Sequence, residues 1–238
     1  MIGWFILLAI GAYLLGSVPS SYLAVRWARG IDIRTVGTGK IGASNVLSAG
    51  PKWLVVPVAI FDIGKGVLSV WLVKTVWLNS AAQVTVWLSA AQVTVGLLAI
   101  AGHNWPVFLK FQGGGRGVFT SLGVIAMLSW KLGLITLVLT YLFAPIRQVA
   151  FGVFVGLITL PFLSWFLARP LDIADRLAIT CGFIALTVMA LGKRLVAHRT
   201  ELSKQMPWRD VMLNRLLFDR DIGDRRLWVS KAKAGKAQ

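Results

Sequence analysis

Acidic side chains are scarce in this chain: nine Asp and Glu stand against 25 Lys and Arg in 238 residues. Cysteine is nearly absent, with Cys181 alone, which excludes an intrachain disulfide and a cysteine-based metal centre. Only 14% of the residues are charged, where a soluble domain carries about 25%. Together with 57% hydrophobic residues and a mean hydropathy of +0.74, this excludes a disordered chain, a coiled coil and an ordinary water-soluble enzyme. Also missing are a Ser-His-Asp or Cys-His arrangement, an HxxxxD acyltransferase box, a Walker GxxxxGKS/T spacing and any cluster with metal-ligand spacing. No cofactor and no metal is expected, and chemistry would rest on positioning and electrostatics.

What the chain has is apolar length. Seven apolar runs span roughly residues 3–25, 53–73, 82–102, 117–130, 132–146, 149–167 and 176–196. Backbone polar groups in lipid must be satisfied within their own segment, and the runs do not alternate as barrel strands do, so the expected fold class is all-α. A crossing needs ~20 apolar residues, so about seven spans consume nearly the whole chain. The fourth and fifth runs are short and separated by Trp130-Lys131, which predicts a tight hairpin there. The N-terminus is apolar from Ile2, without a basic n-region or a small-residue cleavage site, and reads as a retained first helix. The expected organisation is a seven-helix transmembrane domain over residues 1–196 and a basic tail over 197–238.

A net charge of +16 would point to nucleic acid in a soluble protein, but here the cations fit the positive-inside pattern, and no nucleic-acid partner is expected. Twenty Lys and Arg fall in the segments 26–52, 110–116, 147 and 193–238, against four (Lys74, Lys131, Arg169, Arg176) in the alternate connections. That bias places the N-terminus outside and the C-terminus in the cytoplasm. Most tryptophans, Trp4, Trp27, Trp53, Trp105, Trp130 and Trp165 among them, lie near helix ends and read as an interfacial belt. The basic tail suits an anionic leaflet.

Two stretches on the cytoplasmic side differ from ordinary connections. GIDIRTVGTGKIGASN (30–45) interleaves four glycines with Thr, Ser and Asn and carries Arg34 and Lys40. GHNWPVFLKFQGGGRGVFTSLG (102–123) ends one helix and opens the next through Gly113, Gly114, Gly115, Arg116 and Gly117. Glycines admit close backbone approach, and successive free N–H groups beside a cation form an anion-binding nest. A turn with a topology-setting cation is the plainer reading of either loop. His103 reads more readily as a hydrogen-bonded structural residue than as a base. Asp62 and Lys65, three apart in an apolar run, read as an internal ion pair.

At these loops the chain resembles the bacterial acyl-phosphate:glycerol-3-phosphate acyltransferase (PlsY-type) family. The resemblance rests on GSVPSSYL at Gly16, GIDIRTVGTGKIGASNV at Gly30, FDIGKG at Phe61, GHNWPVFLKFQGGGRGV at Gly102 and HR at His198, in that order. It implies seven helices in a bacterial plasma membrane. It also implies transfer of an acyl chain from acyl phosphate to the sn-1 hydroxyl of glycerol 3-phosphate, giving lysophosphatidic acid without a metal. Carried over residue by residue, it implies a phosphate- and substrate-binding set of Arg34, Gly37, Thr38, Gly39, Lys40, Gly42, Asn45, His103, Asn104, Gly113, Gly114, Gly115, Arg116 and Gly117, with His198 catalytic. The chain departs from the pattern at several points. GSGN reads GTGK, so Lys40 replaces Asn; the Arg closing that loop is Ser48; KGGKG becomes QGGGRG; a serine position is Ala150. Past His198, the pattern HRENIxRLLxGxE becomes HRTEL, an insertion, then RLLFDRD, with Glu201 at an Asn position and Asp221 in the place of the final acid. The alternative is a diverged member that binds or transports a phosphorylated lipid or organic anion without catalysis.

Overall fold

Pro19 breaks the first apolar run. Its ring removes one backbone N–H, so the run over 3–25 folds as two successive helices, α1 (Ile2–Ser17) and α2 (Ser20–Arg29), within one candidate span. The computed structural model describes residues 2–36, 39–78, 85–197 and 201–224. Gly37, Thr38 and His198 lie outside the described residues. Gly30 ends α2 in the left-handed conformation with its N–H on the Arg26 carbonyl. After α2 come a single 3-10 turn and the short helix α3 (Ala43–Ala49). The remaining helices are α4 (Val55–Leu78), α5 (Thr85–Asn104), α6 (Val118–Leu128), α7 (Trp130–Leu142), α8 (Val149–Phe166), α9 (Arg176–Leu195), α10 (Glu201–Lys204) and α11 (Trp208–Phe218). Among the described residues there is no strand, and the chain is all-α.

Among the described residues, four helical segments are long and apolar enough to cross a membrane: residues 2–29, 52–76, 149–166 and 176–195. The 24 residues of α4 extend about 36 Å at 1.5 Å per residue, more than the ~30 Å hydrocarbon layer. The apolar helices α6 and α7 are shorter. Their break falls at Ser129, not at Trp130-Lys131: Ser129 ends α6 and its Oγ accepts from Leu132 N, so Trp130 and Lys131 form the first turn of α7.

Helices in lipid gain little from burying apolar surface against one another, and small residues that let backbones touch take over that role. A Cβ on Gly16 would collide with the Ala99 carbonyl, and one on Gly102 with the Tyr13 carbonyl, so α1 and α5 meet reciprocally. Gly66 and Gly123 do the same for α4 and α6, against the carbonyls of Thr120 and Ile63. Phe183, Leu160, Leu132, Ile100 and Ile125 are buried at the centre of the bundle, where α5 to α9 meet.

The connections gather at two ends. At one, Ile41 N donates to Gly113 O (3.1 Å), joining the loop after α2 to the loop after α5. At the other, Ser129 Oγ donates to Leu171 O (2.7 Å) and Lys131 pairs with Asp172 (2.8 Å). The helix α11 docks back on the first end. Buried Arg194 of α9 donates to Leu216 O (2.7 Å) and to Ala150 O (3.1 Å), while buried Arg215 donates to Leu195 O (2.9 Å) and pairs with Asp221 (2.6 Å).

Candidate functional site

The two glycine loops close on each other at the end where α11 docks. Gly113 and Gly117 adopt φ of 67° and 63°, which L side chains rarely take. Between them, a Cβ on Gly114 would strike the Asn104 carbonyl, and one on Gly115 would strike His103 Nε2 and the Ile41 carbonyl. The second loop therefore lies flat on the end of α5, leaving Arg116 as its projecting cation.

In the first loop Gly39 takes φ of 72° and Lys40 follows it. Asn45 is buried, and its amide nitrogen donates to the carbonyls of Ile33, Val36 and Lys40 at 2.9–3.0 Å, which clamps the loop from inside. Arg34 is held by Asp32 (2.6 Å), leans over the Tyr22 ring and packs its stem on Gly113. The Arg34 hydrogen bond holds the Asp32 carboxyl below its usual value. Gly42 precedes α3 at φ of 160°, with open space at its Cβ position.

Lys40 and Arg116, one from each loop, converge on a single group, the carboxylate of Asp219. Arg116 grips it with two nitrogens, Nη2 to Oδ1 at 2.7 Å and Nε to Oδ2 at 3.2 Å, while Lys40 Nζ reaches Oδ1 at 3.2 Å. Arg116 Nη1 also donates to the Lys193 carbonyl of α9. Burial pushes the Lys40 ammonium below its usual pKa, opposed by Asp219. Burial alone would raise the Asp219 carboxyl, but Lys40, Arg116 and Arg194 outweigh it and hold it below the usual range.

Beside this triangle lies a buried polar cluster. Asp62 pairs with Lys65 (2.8 Å) as the three-residue spacing predicts, and accepts from Ser20 Oγ (2.7 Å). Lys65 Nζ also donates to Val18 O (2.6 Å), a carbonyl at the Pro19 break that accepts from Ser20 N as well (3.0 Å), and His103 Nδ1 stands 3.7 Å from Asp62. The side chains of Asn104, Thr120 and Ser121 are buried at the α5–α6 junction, and their polar atoms find no hydrogen-bond partner among the described residues. Buried polar atoms are nearly always paired, so three together call for an ordered water or a polar ligand between them.

Comparison with known proteins identifies the family. Residues 6–206 match the family model for glycerol-3-phosphate acyltransferase. The chain belongs to the glycerol-3-phosphate acyltransferase family. Glycerol-3-phosphate acyltransferase 5 of Dehalococcoides mccartyi is 40% identical to this acyltransferase over 230 residues, 97% of this chain and 94% of that protein. Among solved structures, the glycerol 3-phosphate form of PlsY, an integral membrane glycerol 3-phosphate acyltransferase, matches with a TM-score of 0.67. That match has 28% identity and covers 80% of this chain and 88% of PlsY. The lysophosphatidic acid form matches with a TM-score of 0.63 and 25% identity over 95% of this chain and 98% of that one. Membership makes the protein a membrane acyltransferase of phospholipid synthesis and favours that reading over a non-catalytic binding or transport role.

Of the sequence-derived candidates, the structure brings together Lys40, Gly113, Gly114, Gly115, Arg116, Gly117, His103 and Asn104. It turns Asn45 to the loop's own carbonyls and Arg34 to Asp32. Asp219 escapes the sequence reading altogether; its sole signal was a second acid in RLLFDRD.

Proposed function

We propose that this acyltransferase takes its acyl group from an acyl phosphate and delivers it to the sn-1 hydroxyl of glycerol 3-phosphate at the cytoplasmic face of a bacterial plasma membrane. The convergence of Lys40 and Arg116, one cation from each glycine loop, on one anionic group carries this reading. Arg116 provides a two-pronged contact suited to phosphate oxygens, and Lys40 adds a point charge. The nest at Gly113, Gly114, Gly115 and Gly117 supplies backbone N–H groups, with Gly39 and Gly42 shaping the facing loop and Asn45 and Arg34 bracing it; Gly37 and Thr38 join the set by resemblance alone. His103 and Asn104 form the floor. His198 is assigned a catalytic part by resemblance.

In the reaction the glycerol hydroxyl oxygen bonds to the acyl carbon and the carbon–oxygen bond to phosphate breaks. The departing phosphate takes up the hydroxyl proton, and the products are lysophosphatidic acid and inorganic phosphate. An apolar groove of about 340 Å³ between α2 and α4, lined by Leu23, Trp27, Trp53, Pro57 and Phe61, suits the acyl chain. It starts at Ser20, which donates to Asp62 beside His103. Seven crossings with the N-terminus outside are supported by the gathering of alternate connections at opposite ends and by the charge bias.

The test supplies purified protein in detergent with glycerol 3-phosphate and, in parallel, acyl phosphate or acyl-CoA. Lysophosphatidic acid and inorganic phosphate in equal amounts, from acyl phosphate alone, is the expected result. Product from acyl-CoA with none from acyl phosphate would overturn the donor assignment.

A further inference from the structure

The seat between Lys40 and Arg116 is filled by an anion of the protein's own. Each oxygen of the Asp219 carboxylate is used: Oδ1 takes Lys40 Nζ and Arg116 Nη2, and Oδ2 takes Arg116 Nε. This fork is the one a guanidinium offers equally to a carboxylate or to two phosphate oxygens. We propose that Asp219 is a built-in competitor which occupies the phosphate seat and which a phosphate substrate must displace, so that this residue sets the affinity of the seat. The proposal rests on the reading of Lys40 and Arg116 as phosphate ligands.

Three observations carry it. The first is that α11 and the turn after it have anchors other than Asp219. The α11 segment is held by Arg194 on Leu216 O, by Arg215 on Leu195 O, and by Arg220 on Gln148 Oε1 at 3.2 Å. The carboxylate can therefore swing out of the seat while the backbone stays. The second is its backbone conformation. Asp219 caps α11 at φ of 53°, in the left-handed region that glycine fills at least cost. The third is coupling between two departures from the family pattern. RLLxGxE places Gly where this chain has Asp219, and GSGN places Asn where it has Lys40. An added cation and an added carboxylate, 179 positions apart, meet at 3.2 Å.

The consequence is competitive. A ligand that binds only the vacated seat has its affinity reduced by the fraction of time the seat is open. A monoanion replacing Asp219 exchanges one negative charge for another, whereas a phosphate dianion brings a second charge and more acceptor oxygens. The seat thereby discriminates for phosphate.

The test measures binding of glycerol 3-phosphate and of inorganic phosphate to the full chain in detergent by calorimetry, alongside KM for glycerol 3-phosphate. Asp219→Asn and Asp219→Gly, both suited to a left-handed backbone, remove the competing charge. About tenfold tighter binding of both ligands, with KM falling in step, is expected, the value for a seat open one-tenth of the time. Unchanged or weaker binding overturns the proposal, and so does weakened glycerol 3-phosphate binding with inorganic phosphate unaffected, which would make Asp219 a ligand of the glycerol hydroxyls. If one variant does not survive purification, the other carries the measurement. Arg116→Ala separates the two layers. If it leaves phosphate binding intact, the seat itself is misassigned; if it weakens binding while the Asp219 variants do not tighten it, the seat stands and the competition fails.

Discussion

Arg116 joins three elements through one side chain: its own glycine loop, the end of α9 through the Lys193 carbonyl, and the segment after α11 through Asp219. Removing one partner of a largely buried, hydrogen-bonded charge pair costs about 2–5 kcal/mol. Arg116→Ala is therefore expected to lower kcat/KM by a factor of about thirty or more, measured with acyl phosphate and glycerol 3-phosphate. Arg116→Lys should recover only part of it, because a point charge lacks the fork. The cations were legible in the sequence because each sits among glycines, where a side chain has few competing roles. Asp219 was not, since its partners lie 103 and 179 positions away and nothing local distinguishes it from Asp221, which pairs with Arg215 instead. Asn45 was legible as important but its task was not. An amide that folds its own loop and one that binds a ligand have the same sequence signature.

Helix against helix, the decisive contacts are made by residues with no side chain. Gly66 and Gly123 bring α4 and α6 to backbone contact from both sides, and a methyl group at either position meets main-chain atoms that cannot rotate away. Gly123→Ala is expected to lower the thermal midpoint of the detergent-solubilised protein, with a cost of about 1–3 kcal/mol for forcing atoms into a packed contact. Gly64, two residues from Gly66 but with open space at its Cβ position, should accept alanine without loss, and thermal unfolding of the pair checks both outcomes. Apolar runs located all the long helices because a backbone in lipid has no other way to satisfy its polar groups. Their ends were harder to read. The run at 3–25 hides the break at Pro19, and the hairpin near 130 turns one residue earlier than composition suggests because Ser129 can cap a helix and Trp130 cannot.

Over the whole molecule, the connections sort into two ends, one carrying the glycine loops and α11, the other carrying Lys131, Arg169 and Asp172. With Cys181 replaced by Ser, single cysteines at exposed Lys52 and Lys110 are expected to react with an impermeant thiol reagent only from the cytoplasmic side, and one at exposed Arg169 only from outside. Reaction at Lys110 from the outer face would invert the topology and remove the site from the cytoplasm. The bond from Lys65 to the Val18 carbonyl has a consequence in time as well as in space. At the kink between α1 and α2 that carbonyl accepts from Ser20 N at 3.0 Å, and its second donor is a lysine 47 positions later that must first be synthesised and brought beside it. At about 5–20 residues per second, the ribosome adds that length in roughly 2–9 s. For that interval the bend between α1 and α2 rests on local backbone bonds, and the charged tie from Val18 to the rest of the bundle arrives only with α4.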